Sequence, residues 1–171
     1  VFAQLQKIIT QRPDPKGGSA ESDTWNNATL ATSVPINGDE IPMRLEMKRL
    51  APGETNSWFI EILGTDGGVR YNTKDTKAFW QFRREQKDQT WNRLDLGFGV
   101  PFPTVTGGIF EPGFPDCFMQ MLAAYFAERD GSLNGRFGCV TPAEAVNSHR
   151  VFEAALESQR TKNAVEIKYG A

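Results

Sequence analysis

Histidine is nearly missing from this chain: His149 is the only one among 171 residues. That excludes a site built within the chain on paired imidazoles or a histidine-rich metal cluster. Cysteine is almost as scarce. Cys117 and Cys139 form no CxxC pair and stand in apolar or glycine-rich surroundings, so two reduced thiols are expected rather than metal ligands. A basic surplus is missing too. Lys and Arg number 19 against 21 Asp and Glu, a net charge of -2, which leaves no basic face of the kind nucleic acid selects. No apolar run approaches the ~20 residues of a membrane-spanning helix, and no charged-then-apolar leader opens the chain. The expected location is cytoplasmic, with neither nucleic acid nor membrane as a partner. The chain opens on a strand pattern with no methionine, so Val1 is not expected to be the natural start.

Motifs that would carry chemistry are equally short. Gly97-Phe98-Gly99 begins like a dinucleotide fingerprint, but Phe102 takes the third glycine position and no amphipathic helix follows at once. Gly64 to Gly68 lies between two strand patterns, which makes it a hairpin turn and not a phosphate cradle. No serine stands in a nucleophile-elbow pattern. The chain is therefore expected to hold no catalytic, cofactor-binding or metal-ligating residues of its own.

What is present is an ordinary globular composition, 39% hydrophobic and 23% charged, at a length suited to one domain over residues 1–171. Val1 to Ile9 alternates as a strand with one buried face. Gln11 to Ser22, with Pro13, Pro15, Gly17 and Gly18, reads as a mobile loop between two strands. Trp25–Val34 and Ile41–Leu50 flank Asn37-Gly38-Asp39 as a hairpin, and Trp58–Leu63 and Val69–Asn72 flank Gly64–Gly68 as a second. Ala78–Arg83 and Thr90–Leu96 add two more strands.

The period changes after the glycine- and proline-rich passage 97–113. Cys117, Phe118, Met121, Leu122, Tyr125 and Phe126 fall on one helical stripe, with Pro115 in the first turn. Thr141-Pro142-Ala143-Glu144 is a capping box, which starts a second helix running to about Thr161. His149 sits in that helix near Ala145, Phe152 and Leu156, on or beside its packing stripe. Ala164 to Tyr169 alternates again and closes on a strand. Strands first and helices late predict an α+β fold: an open, mainly antiparallel sheet of about six to eight strands with two long C-terminal helices packed on one face. Large apolar groups fall on both sheet faces, so a covering subunit or domain is expected.

Among the carboxylates, Glu111 and Asp116 stand apart. They flank Pro112-Gly113-Phe114-Pro115 at the entry of the first long helix, where a ring, a constrained backbone and positive helix-end N–H groups converge. The same residues also read as a helix cap beside a core phenylalanine.

The stretch GGIFEPGF from Gly107, followed by CFMQMLAAYFAERDG and GCVTPAEAVNSHRVFEAALESQRTKNAVEI, resembles the tail of the glucose-fructose oxidoreductase and inositol dehydrogenase (Gfo/Idh/MocA) family. The hairpin ILGTDGGVRYN is similar to the family's glycine-turn hairpin, and the likeness runs from about Trp25 to Tyr169, sharpest from TPAEA to VEI. The resemblance implies a C-terminal, substrate-side and oligomerisation domain whose N-terminal dinucleotide-binding partner lies outside these residues. The intact protein would then be an NAD(P)-dependent oxidoreductase acting on a sugar, cyclitol or related polyol. NAD or NADP would be bound mainly by the other domain and this chain would be inactive alone. The family's cofactor glycines, catalytic lysine and catalytic histidine have no counterpart here, and His149 does not inherit that role. Phe110, Glu111, Phe114 and Asp116 become the expected substrate-facing residues, with a carbohydrate-like small molecule and a homo-oligomer through the sheet face as partners. The alternative is a non-catalytic module that binds a small molecule or another protein.

Overall fold

The alternation that opens the chain folds as strand β1, Phe2–Gln6, with Ala3 buried and Phe2, Gln4 and Gln6 exposed. The computed structural model describes residues 1–85, 87–97, 99–104 and 113–169. Two compact units divide the chain: Val1–Gly53 with Val140–Ala171, and Glu54–Cys139.

In the first unit β1 pairs antiparallel with β4, Asn27–Ile36, which pairs antiparallel with β5, Asp39–Lys48. Asn37 and Gly38 close the β4–β5 hairpin with φ of 53° and 91°, both left-handed. A two-residue turn of that kind matches the right-handed strand twist, and asparagine and glycine tolerate it best. Pro35 and Pro42 fit because the β1 ladder ends at Ala31 and β5 is an edge strand of its sheet, so neither proline interrupts a ladder on its free side.

The stretch expected as a loop closes instead into a small hairpin of β2, Gln11–Pro13, and β3, Ser19–Glu21. Asp14 explains it. Its side chain accepts the Lys16 N–H at 2.8 Å and its carbonyl accepts the Gly17 N–H at 2.9 Å, while Gly17 and Gly18 take positive φ. An Asx turn followed by two glycines needs no hydrophobic periodicity to form.

Helix α2, Pro142–Thr161, starts where the capping box places it. The Thr141 hydroxyl accepts the Glu144 N–H at 3.3 Å, and the Glu144 carboxylate accepts the Thr141 N–H at 2.8 Å. The backbone N–H and hydroxyl of Thr141, in that order, hold the Glu144 carboxyl below its ordinary range. A carboxyl depressed on folding contributes stability that is complete above the unfolded value and is lost as pH falls through the folded one. Acid melts should therefore show α2 weakening as pH falls below the ordinary glutamate range, and Glu144→Ala should flatten that part of the profile. An unchanged slope would remove this cap from the acid response.

The face α2 buries differs from the stripe near His149. Ala154, Ala155 and Ser158 are buried and Val151 packs beside them, whereas Phe152, Leu156 and His149 are exposed. Small residues face β1 because the approach is close: the Ser158 hydroxyl accepts the Ala3 N–H at 2.9 Å. Leu30, with Ala3 and Ala155, forms the core, flanked by Val1, Leu5, Ala28, Leu45 and Val151. The closing strand expected at 164–169 is only a reciprocal pair. Val1 donates to the Val165 carbonyl at 2.6 Å and Val165 returns the bond at 2.8 Å, and one pair does not make a ladder.

The second unit holds a four-stranded antiparallel meander, in order β6, Phe59–Leu63; β7, Gly67–Asn72; β8, Ala78–Arg83; β9, Asn92–Asp95. Gly67 is needed because a Cβ there would stand 2.5 Å from the Phe82 carbonyl oxygen. Helix α1, Phe114–Arg129, follows. The α+β class, the antiparallel pairing and the two helices are as expected. Two details differ. Among the described residues the strands form ladders of three, two and four instead of a single one. Among the described residues α2 packs on β1 of its unit, whereas Ala124 and Ala127 of α1 pack on Phe102, Leu133 and Cys139. Alanines on one side of α1 fit a loop ring against the helix but offer a sheet little area to grip.

Candidate functional site

Two of the four expected site residues, Phe110 and Glu111, lie outside the described residues. The other two share the first turn of α1. Asp116 is at the third helical position, where its carboxylate accepts the Gly113 N–H at 2.7 Å. That bond satisfies a donor the helix start leaves open, and an acid there is favoured by the positive helix end. The capping reading of Asp116 is thus what the geometry contains. Phe114 is not a core residue: it is 68% exposed and meets Phe118 edge-on, ring centres 5.0 Å apart. An exposed ring and a partly exposed carboxylate on one helical turn can offer a ligand an apolar face and an acceptor together.

The chain just before this segment is held from α1. Gln120 Nε2 donates to the Phe102 carbonyl at 2.9 Å, and its Oε1 accepts the Phe102 N–H at 3.0 Å. The Arg136 guanidinium lies 4.4 Å over the Phe102 ring and donates to the Leu133 and Ser132 carbonyls at 2.8 and 2.7 Å. Glu128 accepts the Cys139 N–H at 2.8 Å.

Sequence reasoning missed a recess of about 410 Å³ on the four-stranded sheet, lined by Phe59, Arg70, Tyr71, Asn72, Trp80 and Trp91. The Arg70 guanidinium stacks 3.9 Å from the Trp91 ring centre and its Nε donates to Glu61. Arg70 stands opposite Trp80 in the ladder. That register is set by the β7–β8 connection and is not legible as a motif. Arg93 is fixed nearby between Asp75 and Asp95, and these two carboxylates hold its guanidinium above the ordinary arginine value, Asp75 most.

Among the described residues no group of three or more His, Cys, Asp or Glu side chains is placed to hold a metal ion, and no helix is long and apolar enough to cross a membrane. Cys117 and Cys139 are free thiols. His149 is exposed, its ring edge-on to Phe152 at 5.9 Å. The glycines that begin a dinucleotide pattern, Gly97 and Gly99, lead into no described helix before α1 at Phe114, so among the described residues they form no strand–turn–helix cradle for a dinucleotide.

No family model matches the chain, and no curated protein matches it in sequence. Solved structures do match in fold. Levoglucosan dehydrogenase in its apo form superposes with a TM-score of 0.77 at 19% identity, over 99% of this chain and 45% of that one. An NAD-binding oxidoreductase from Klebsiella pneumoniae gives 0.76 at 19% identity over 99% and 45%. An oxidoreductase domain protein from Kribbella flavida gives 0.75 at 18% over 98% and 44%. Levoglucosan dehydrogenase has also been solved with NADH and levoglucosan, and with NADH and L-sorbose. The chain spans less than half the length of these proteins, and identity at this level establishes a shared fold.

Proposed function

We propose that this chain is the C-terminal, substrate-side domain of a cytoplasmic NAD(P)-dependent oxidoreductase of the glucose-fructose oxidoreductase and inositol dehydrogenase family, acting on a sugar, cyclitol or related polyol. The observation that carries the reading is the fold match, which takes in nearly all of this chain and under half of each oxidoreductase. The remaining length in those proteins leaves room for a dinucleotide-binding domain, and the sequence resemblance points to the same division. NADH in the levoglucosan dehydrogenase complexes supports a nicotinamide cofactor, held mainly by residues other than these.

This chain's own contribution is recognition. Phe110 and Phe114 would stack on the apolar face of a carbohydrate ring, and Glu111 and Asp116 would accept from its hydroxyls. The test is to express the protein from the whole gene and follow nicotinamide reduction over a panel of polyols. Glu111→Gln should lower kcat/KM about 10- to 100-fold, the worth of one hydrogen bond to a charged acceptor. An unchanged kcat/KM would take Glu111 off the site, and a gene product without an upstream strand, GxGxxG turn and helix would refute the enzyme reading.

The recess beside Trp80 and Trp91 favours a second reading, a module that binds a small molecule on its sheet without catalysis. Binding of a sugar by a protein with no nicotinamide-linked turnover would decide for it. Under either reading the exposed apolar face of the four-stranded sheet, where Phe59 is 63% and Leu63 64% exposed, would be covered by a second copy. Solution scattering should then give a dimer or higher oligomer, and a clean monomer would refute that interface.

A further inference from the structure

We infer that Gln120 is a positioning residue for the substrate-facing end of α1, an inference that rests on the function proposed above. The first six residues of α1, Phe114 to Met119, make little contact: all are exposed except Asp116, which is half-buried. Apart from the cap, side-chain hydrogen bonds from α1 to other segments begin, among the described residues, at Gln120, and the buried alanines Ala124 and Ala127 come later. The first turn is therefore cantilevered by about 9 Å, six residues at 1.5 Å each, from its first hydrogen-bonded anchor.

The two kinds of anchor act differently. Contact between Ala124, Ala127 and the Phe102 ring is non-directional and would allow α1 to slide or rotate by a fraction of a turn. The Gln120 amide reads both backbone groups of Phe102 at 2.9 and 3.0 Å, as a neighbouring strand would, and so fixes the helix along and about its axis. Arg136, stacked on the Phe102 ring, holds the other party to the clasp. A helix is stiff, so register set at Gln120 is register at Phe114 and Asp116. Misplacement of a substrate contact by about 1 Å is enough to cost up to about 100-fold in turnover.

The test uses the protein expressed from the whole gene. Gln120→Met keeps the length and removes both hydrogen bonds, and Gln120→Glu keeps the acceptor and loses the donor until the carboxyl is protonated. Polyol kcat/KM should fall roughly tenfold in Gln120→Met while the KM for the nicotinamide cofactor stays within about twofold. In Gln120→Glu, polyol kcat/KM relative to the unsubstituted enzyme should recover toward about pH 5, because a protonated glutamic acid reproduces both halves of the clasp. This variant carries the test if Gln120→Met does not fold. Unchanged polyol kinetics would overturn the inference. So would an equal loss of polyol and cofactor parameters with no recovery in acid, which is the signature of a purely structural bond. An unsubstituted protein that turns over no polyol would overturn the enzyme reading itself, and this inference with it.

Discussion

Leu30→Ala should destabilise the unit built from β1, β4, β5 and α2 by roughly 2–5 kcal/mol, the range for truncating a fully buried leucine. Leu30 is 1% exposed, and its partners include Ala3, Ala28 and Ala155, whose single methyls cannot swing into the space it would leave. Unrelieved cavities lie toward the upper end of that range. The melting temperature should drop by on the order of 10–20 °C. Leu45→Ala, directly opposite on edge strand β5 and only half-buried, should cost about half as much. Paired thermal and urea melts would check both, and equal losses at the two positions would mean that Leu30 does not hold the centre of this core.

The capping box, the hairpin turns and most strand limits were legible because each is local. Thr141 and Glu144 satisfy each other within three residues, and Asn37-Gly38 carries its own backbone preference. The buried faces of the helices were not legible, and both were misjudged in the same way. Large residues drew the stripe toward Phe118, Met121, Phe126, Phe152 and Leu156, whereas burial within each unit goes to Ala124 and Ala127 on α1 and to Ala154, Ala155 and Ser158 on α2. Close approach between elements selects small side chains, and hydrophobicity alone does not register closeness. The exposed rings left over are apolar surface that neither unit buries by itself, which is consistent with the covering partner proposed above.

The candidate site divides along the same line. The helix start at Phe114 and the acid in its first turn follow from Pro115 and Asp116, both local signals. The grip of Gln120 on Phe102 joins residues 18 apart and carries no motif. The stacking of Arg70 on Trp91 depends on strand register. Tertiary hydrogen bonds of this kind depend on where chains meet, and only the folded coordinates report that.

Ser158→Ala should cost roughly 2–3 kcal/mol although it removes one oxygen atom. Ser158 is fully buried. Its hydroxyl accepts the Ala3 N–H at 2.9 Å and donates to the Asn163 carbonyl at 2.7 Å, joining the middle of β1 to the turn that ends α2. Alanine fits the space, so neither clash nor cavity contributes. The penalty comes from the Ala3 N–H, which lies in a residue 2% exposed and would lose its partner with no water to replace it, whereas Asn163 is exposed and its carbonyl can be hydrated. Amide exchange at Ala3 should accelerate in step with the loss measured by urea, because the same hydrogen bond limits both. Ser158→Cys, which fits the site with a weaker donor and acceptor, should fall between serine and alanine. A loss below about 1 kcal/mol in Ser158→Ala, with Ala3 exchange unchanged, would show that β1 is held to α2 by apolar contact alone.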